Sequence, residues 1–181
     1  GGRKTELLSS DIADWRITFV DTGLHANLGQ RLLRVRKYLE GEEEFLANYS
    51  DGLSDLPLDR HIEHFRARHA TASFAAVQTA QSFHGVKSET DGIVTGFGRM
   101  ADSDFWINGG FFCLRREIFD VLEDGDELVE QPFQRLIEQR KLAVFRHTGF
   151  WQAMDTFKDK IAFDRMEGQG QCPWMVWKQP R

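Results

Sequence analysis

The feature that most constrains this chain is a short apolar run that breaks into an acidic turn. Phe45-Leu46-Ala47-Asn48-Tyr49 leads into Ser50-Asp51-Gly52-Leu53-Ser54-Asp55. The run follows Glu42-Glu43-Glu44 and has the length and apolarity of a buried strand. Ser-Asp-Gly is turn chemistry. The pattern therefore predicts a carboxylate, Asp51, at the carboxyl end of a central strand. That is the edge at which open α/β sheets bind ligands. A buried ionised carboxylate needs a partner or a metal. The alternative is that Asp51 only makes the turn.

Other segments predict strands alternating with helices. Residues 15–20, Trp-Arg-Ile-Thr-Phe-Val, alternate apolar with polar side chains as a strand does. Asn27 can cap a helix over residues 28–39, with Leu28, Leu32, Val35 and Leu39 on one face. Its other face carries Arg31, Arg34, Arg36 and Lys37 and reads as solvated. Pro57 suits the start of a helix running to about His69. His61 and His64, at i and i+3 on it, have no evident third metal ligand and read as surface residues. Residues 72–77 form the next strand. Residues 82–86 and 92–97 form a hairpin turned at Thr90-Asp91-Gly92. A conspicuous apolar run, residues 105–114, carries Asn108-Gly109-Gly110 at its middle. Glycine there allows a ligand or another backbone to approach closely, or marks a β-bulge. Helices are expected over residues 116–122 and 131–139, the second with Phe133, Leu136 and Ile137 inward. A strand over 142–147 then runs into the apolar segment 150–156, which contains Asp155. A last helix spans about 156–166, and the aromatic tail 172–177 is expected to dock. Strands alternating with helices, plus one hairpin, argue an α/β layered fold with a mixed, mostly parallel sheet.

The 181 residues suffice for one domain with a sizeable core, and fifteen Phe and five Trp make that core aromatic. A net charge of −5 argues against non-specific nucleic-acid binding but leaves room for one nucleotide. Cys113 and Cys172 have neither metal spacing nor a disulfide framework. With no leader-like or membrane-length apolar run, the expected setting is the cytoplasm, without membrane partners.

Asp51 and Asp155 each end an apolar run. If both reach the same sheet edge, they can share a hard cation such as Mg2+, which takes one or two carboxylates and leaves room for substrate phosphates. No Gly-rich phosphate loop with a Lys is present.

Four segments carry a resemblance that covers nearly the whole chain. They are residues 15–23, Tyr49-Ser50-Asp51-Gly52-Leu53-Ser54-Asp55, Trp106-Ile107-Asn108-Gly109-Gly110-Phe111-Phe112, and Gly149-Phe150-Trp151-Gln152-Ala153-Met154-Asp155-Thr156. In order and interval they resemble the glucose-1-phosphate cytidylyltransferases and close sugar nucleotidyltransferases. The resemblance implies a Rossmann-like nucleotidyltransferase fold and transfer of a nucleotidyl group from an NTP, CTP by default, to a sugar 1-phosphate, glucose 1-phosphate by default. It places Asp51 and Asp155 at the family's Mg2+-binding aspartates. It places Asn108 and Gly109 at the sugar pocket, Gly29 near the base, and Trp151 as a wall of the sugar site. The family's Gly-rich opening signature is absent, so the resemblance implies a single domain over 1–181 that lacks its first part and has little turnover alone. Gly98-Arg99-Met100 stands where the family often has Glu-Lys-Pro, leaving Arg99 to supply positive charge there. A non-catalytic relative that binds sugar phosphate or nucleotide is the alternative, and a metal-dependent glycosyltransferase a third reading. An oligomer is compatible with the aromatic tail and an incomplete sheet.

Overall fold

The structure is a computed structural model and describes residues 14–78, 84–99 and 104–178. Its centre is β3 (Ala72–Val77), a strand buried at every position but one. Such a strand reads as a near-continuous apolar run because neighbours cover both its faces. On one side β3 pairs in parallel with β8 (Leu142–His147) over six residues. On the other it pairs antiparallel with β7 (Phe112–Arg115) and β6 (Ile107–Asn108), and β7 continues antiparallel to β1 (Glu44–Ala47). The sheet is thus mixed, as expected, but among the described residues only the β3–β8 ladder is parallel. Parallel neighbours need a long crossover, and here the connection from β3 to β8 passes through β6, β7 and the 131–138 helix.

The run at 105–114 is two strands rather than one. Ala72 pairs with Leu114, yet Ala76 pairs with Asn108, so Gly109-Gly110-Phe111 inserts two extra residues into the ladder. The bulge is held by Gly109 N–H donating to Ala75 O and Ala75 N–H donating to Gly110 O, at 2.8 and 2.9 Å. Gly110 takes φ +77°, which glycine adopts without penalty.

Helices cover both faces of the sheet. α1 (Leu28–Val35) continues as a 3-10 turn, Arg36–Leu39, and has the expected Asn27 cap. It closes a reciprocal pair: Asn27 Oδ1 accepts from Gln30 N–H and Gln30 Oε1 from Asn27 N–H. With α3 (Gln131–Glu138) and the 3-10 turn Arg116–Asp120 it buries Leu32, Phe112, Leu114, Ile118, Phe119, Phe133 and Leu136 in one cluster. α2 (Leu58–Ala67) covers the other face through Phe65, against Ala70 and Cys113. The alternation along β7 follows: Phe112 and Leu114 enter the first cluster, Cys113 the second. β4 (His84–Ser88) and β5 (Val94–Arg99) form a separate hairpin.

Several expectations fail here. Residues 15–20 form no strand; Trp15 and Phe19 are 67% and 82% exposed, and alternation without a ladder partner does not make a strand. The basic face of α1 is exposed as expected, and on it Arg31 Nη1 donates to Thr22 Oγ1 at 3.0 Å and Arg34 Nη1 to the Thr22 carbonyl. Ile137 points outward, 53% exposed, because the short α3 offers the core only the Phe133–Leu136 stripe. His61 is fully buried. It stacks on Phe145 of β8 and bonds Ser73 Oγ at 2.9 Å, so a polar partner inside the sheet accepts what looked like a surface side chain. The tail docks through Trp174, which packs on Phe150 and on Phe163 of α4 (Phe157–Gly168), while Trp177 stays exposed.

Candidate active site

The strand directions select the functional edge. β1, β3 and β8 all run the same way, so Ala47, Val77 and His147 end at one edge, and β6 starts there. Asp51 does not end a central strand as expected. β1 stops at Ala47 and lies outermost in the described order, and Asp51 precedes a further short strand, β2 (Gly52–Ser54). β2 pairs antiparallel with β9 (Trp151–Ala153), Gly52 opposite Ala153 and Ser54 opposite Trp151.

This ribbon is what joins the two carboxylates. Because its strands are antiparallel, the residue before β2 and those after β9 leave from the same end. Met154 N–H donates to the Asp51 carbonyl at 2.9 Å, and Asp155 follows directly. Both aspartates are exposed. Among the described residues neither carboxylate has a hydrogen-bonded or ion-paired side chain, and no cluster of three or more potential metal ligands forms. Two carboxylates with open positions suit Mg2+, which keeps waters and substrate phosphates in its shell. A cleft of about 410 Å3 opens beside Asp51, lined also by Ser50, Leu53, Met154, Phe163, Asp164, Glu167 and Trp174.

A polar network stands behind the ribbon. Asn108 Nδ2 donates to Tyr49 Oη at 3.0 Å, and Asn108 Oδ1 accepts from Gly110 N–H at 2.9 Å. Trp151 Nε1 donates to the Gly109 carbonyl at 2.8 Å, tying β9 to the bulge. Asn48 Oδ1 accepts from Phe111 N–H at 2.8 Å. Burial holds the Tyr49 phenol above its usual range, against the opposing Asn108 bond, so its O–H remains a donor at neutral pH. Sequence reasoning did not single out Tyr49 or Asn48, although both sit inside the apolar run that leads to Asp51.

The other expected residues are placed differently. Gly109 is buried, and a Cβ there would lie 2.9 Å from the Val77 methyls and 3.2 Å from the Ala75 carbonyl. Its bareness is therefore required by the neighbouring strand. Gly29 abuts the Asp126 carbonyl closely enough that a Cβ would overlap it, so α1 needs this glycine to meet the 122–126 turn. Arg99 ends the β4–β5 hairpin opposite His84 and is exposed. The ribbon thus brings Asp51, Asp155, Trp151, Gly109 and Asn108 together, and leaves Gly29 and Arg99 outside this network.

No family model matches the chain. A Salmonella typhimurium protein named glucose-1-phosphate cytidylyltransferase is 33% identical over 177 residues, covering 97% of this chain and 68% of that protein. The chain belongs to the glucose-1-phosphate cytidylyltransferase family. A Bacillus subtilis family member, named as a probable glucose-1-phosphate cytidylyltransferase, is 38% identical over 165 residues, covering 90% of the chain. The chain spans 64% of that relative's length, about two thirds of the curated relatives it matches. The 2.76 Å crystal structure of a Bacillus anthracis protein assigned as a glucose-1-phosphate thymidylyltransferase superposes with a TM-score of 0.56. It covers 82% of this chain and 63% of that one at 10% identity. The likeness shows the shared Rossmann-like nucleotidyltransferase fold. For a cytidylyltransferase family member, no helix among the described residues is long and apolar enough to cross a membrane.

Proposed function

We propose that this chain carries the metal- and sugar-binding part of an enzyme that transfers a nucleotidyl group from an NTP, CTP by preference, to glucose 1-phosphate. The observation that carries the reading is the β2–β9 ribbon, which sets Asp51 and Asp155 at one end beside the Asn108–Tyr49–Trp151 network. Family membership supplies the reaction class. In that reaction a phosphate oxygen of the sugar phosphate forms a bond to the α-phosphorus while the bond to the β-phosphate breaks, and pyrophosphate leaves.

Asp51 and Asp155 would hold Mg2+, which when bound neutralises charge on the reacting phosphates. The chain's own residues orient the sugar phosphate. Tyr49 offers its O–H, and Asn108 retains one amide hydrogen and one lone pair beyond its bonds to Tyr49 and Gly110. Trp151, held by its indole N–H, presents a ring suited to an apolar sugar face. Arg99 would add positive charge only if its hairpin approached the ribbon. Gly29 belongs in this reading with the base. A CTP-consuming enzyme works where nucleoside triphosphates are, so the reading includes the cytoplasm and no nucleic-acid partner.

The test is pyrophosphate release from CTP and glucose 1-phosphate with Mg2+, compared with UTP and dTTP, using protein that spans the full length of the curated relatives. Asp51→Asn and Asp155→Asn should each lower turnover by about a hundredfold or more. They should leave the urea midpoint nearly unchanged, because both side chains are exposed. Release that ignores both changes would sink the assignment. Sugar-phosphate binding without release would favour the non-catalytic relative.

A further inference from the structure

At the opposite end of the ribbon from Asp51 and Asp155, a buried histidine meets a carboxylate. His147, the last residue of β8, has its Nε2 2.8 Å from Asp55 Oδ1 and 3.3 Å from the Phe150 carbonyl. Carboxylate and carbonyl oxygens both accept, so Nε2 carries the hydrogen. Two more donors converge on the Phe150 carbonyl: Ser54 Oγ at 2.7 Å and the Asp55 N–H at 3.2 Å. Ser54 Oγ in turn accepts from Leu56 N–H at 3.1 Å. Gly149 passes so near that a Cβ would overlap the Asp55 carboxylate and the His147 ring. The link from β8 to β9 is thereby pinned to residues 54–55.

The ribbon needs such a pin. Three paired residues are too few to set their own register. A slip of one residue would turn every side chain to the opposite face and separate the two aspartates. β8, by contrast, is anchored by its six-residue ladder with β3. We propose that Asp55 and His147 form a positioning pair that passes the rigidity of β8 to the ribbon and fixes the register of Asp51 against Asp155. Its consequence for metal binding rests on the function proposed above, whereas the register itself can be measured without metal.

The experiment is native-state amide hydrogen exchange by NMR on this chain and on His147→Ala, His147→Gln and Asp55→Ala. The reporter is the Met154 N–H, bonded to the Asp51 carbonyl at the far end of the ribbon. The amides of β3 and β8 serve as internal reference. His147→Ala and Asp55→Ala should speed Met154 exchange by about tenfold or more relative to that reference. His147→Gln, which keeps an N–H donor, should restore most of the protection. A role confined to packing would speed β8 and Met154 together, and that result, or an unchanged Met154, overturns the proposal. Asp55 is partly exposed, so Asp55→Ala decides the matter if His147→Ala fails to fold. Mn2+ titration followed by electron paramagnetic resonance forms the second arm. His147→Ala should weaken Mn2+ binding about tenfold, because a ribbon out of register no longer holds Asp51 against Asp155. Unmodified protein that binds no Mn2+ would sink the metal pair alone, and the exchange data would still decide the positioning role.

Discussion

Gly110 shows how much of the site rests on a missing side chain. Its φ is +77°, and a Cβ would come within 2.6 Å of Asn48 Oδ1 and 2.9 Å of the Tyr49 ring. Gly110→Ala should cost about 2 kcal/mol or more in urea unfolding, combining strained backbone with a clash. Because Asn108 bonds the Gly110 N–H, the same change should weaken sugar-phosphate binding. His61 raises a different question, that of acid stability. Burial, reinforced by the neighbouring His64, lowers its pKa to about 4 from 6.5, and its Nδ1 has no partner among the described residues. The unfolded chain therefore takes up a proton between pH 6.5 and 4 that the folded protein refuses. Stability should fall as pH drops through that window and level off below it, by something on the order of 3 kcal/mol. His61→Phe, which keeps a ring against Phe145, should flatten the slope in a series of urea midpoints taken across this range.

Elements matter here through their ends. α1 owes its start to the reciprocal Asn27–Gln30 bonds, and Asn27 Nδ2 also reaches the Gly125 carbonyl at 3.0 Å. Asn27→Ala should cost about 1 kcal/mol, more if the tie to the 122–126 turn is also lost, and denaturant unfolding would measure it. α4 has a similar cap, with Thr156 Oγ1 accepting from Asp159 N–H and Asp159 Oδ2 accepting from Thr156 N–H. Thr156, the cap, directly follows Asp155, and the helix starts at Phe157. The carboxylate is therefore held between a ribbon end and a helix start, two places where the backbone direction is well defined.

Across the whole molecule, apolar surface is unevenly distributed. The β4–β5 hairpin leaves Val86, Val94 and Phe97 exposed by 57%, 57% and 70%, with the His84 ring stacked on Phe97. A projecting two-stranded hairpin is marginal alone and gains stability by covering such a face. Self-association is the expected outcome: sedimentation velocity should show a species larger than the 20.9 kDa chain, and Phe97→Ser should shift it toward monomer. A single monomeric species for both proteins would remove the hairpin as an association surface.

Local pattern was enough to locate β3, β8, the hairpin and the Asn27 cap, because apolar period and cap chemistry are written in neighbouring residues. The four motifs likewise pointed to the family and to Asp51 and Asp155 as a pair. Pattern alone misplaced residues 15–20, where alternation shows that a strand can form but not that another strand is there to pair with. It misread His61 because the partners that make burial tolerable, Ser73 and Phe145, lie 12 and 84 residues away in sequence. It read residues 105–114 as one strand and left a β-bulge at Gly109-Gly110 as the alternative, since only the register against β3 decides between them. The sequence by itself determined most of the strands and helices, the family, and Asp51 and Asp155 as the candidate carboxylates. Only the tertiary structure decided that an antiparallel ribbon, pinned by Asp55 and His147, brings those carboxylates to one end, because pairing between residues a hundred positions apart leaves no local signature.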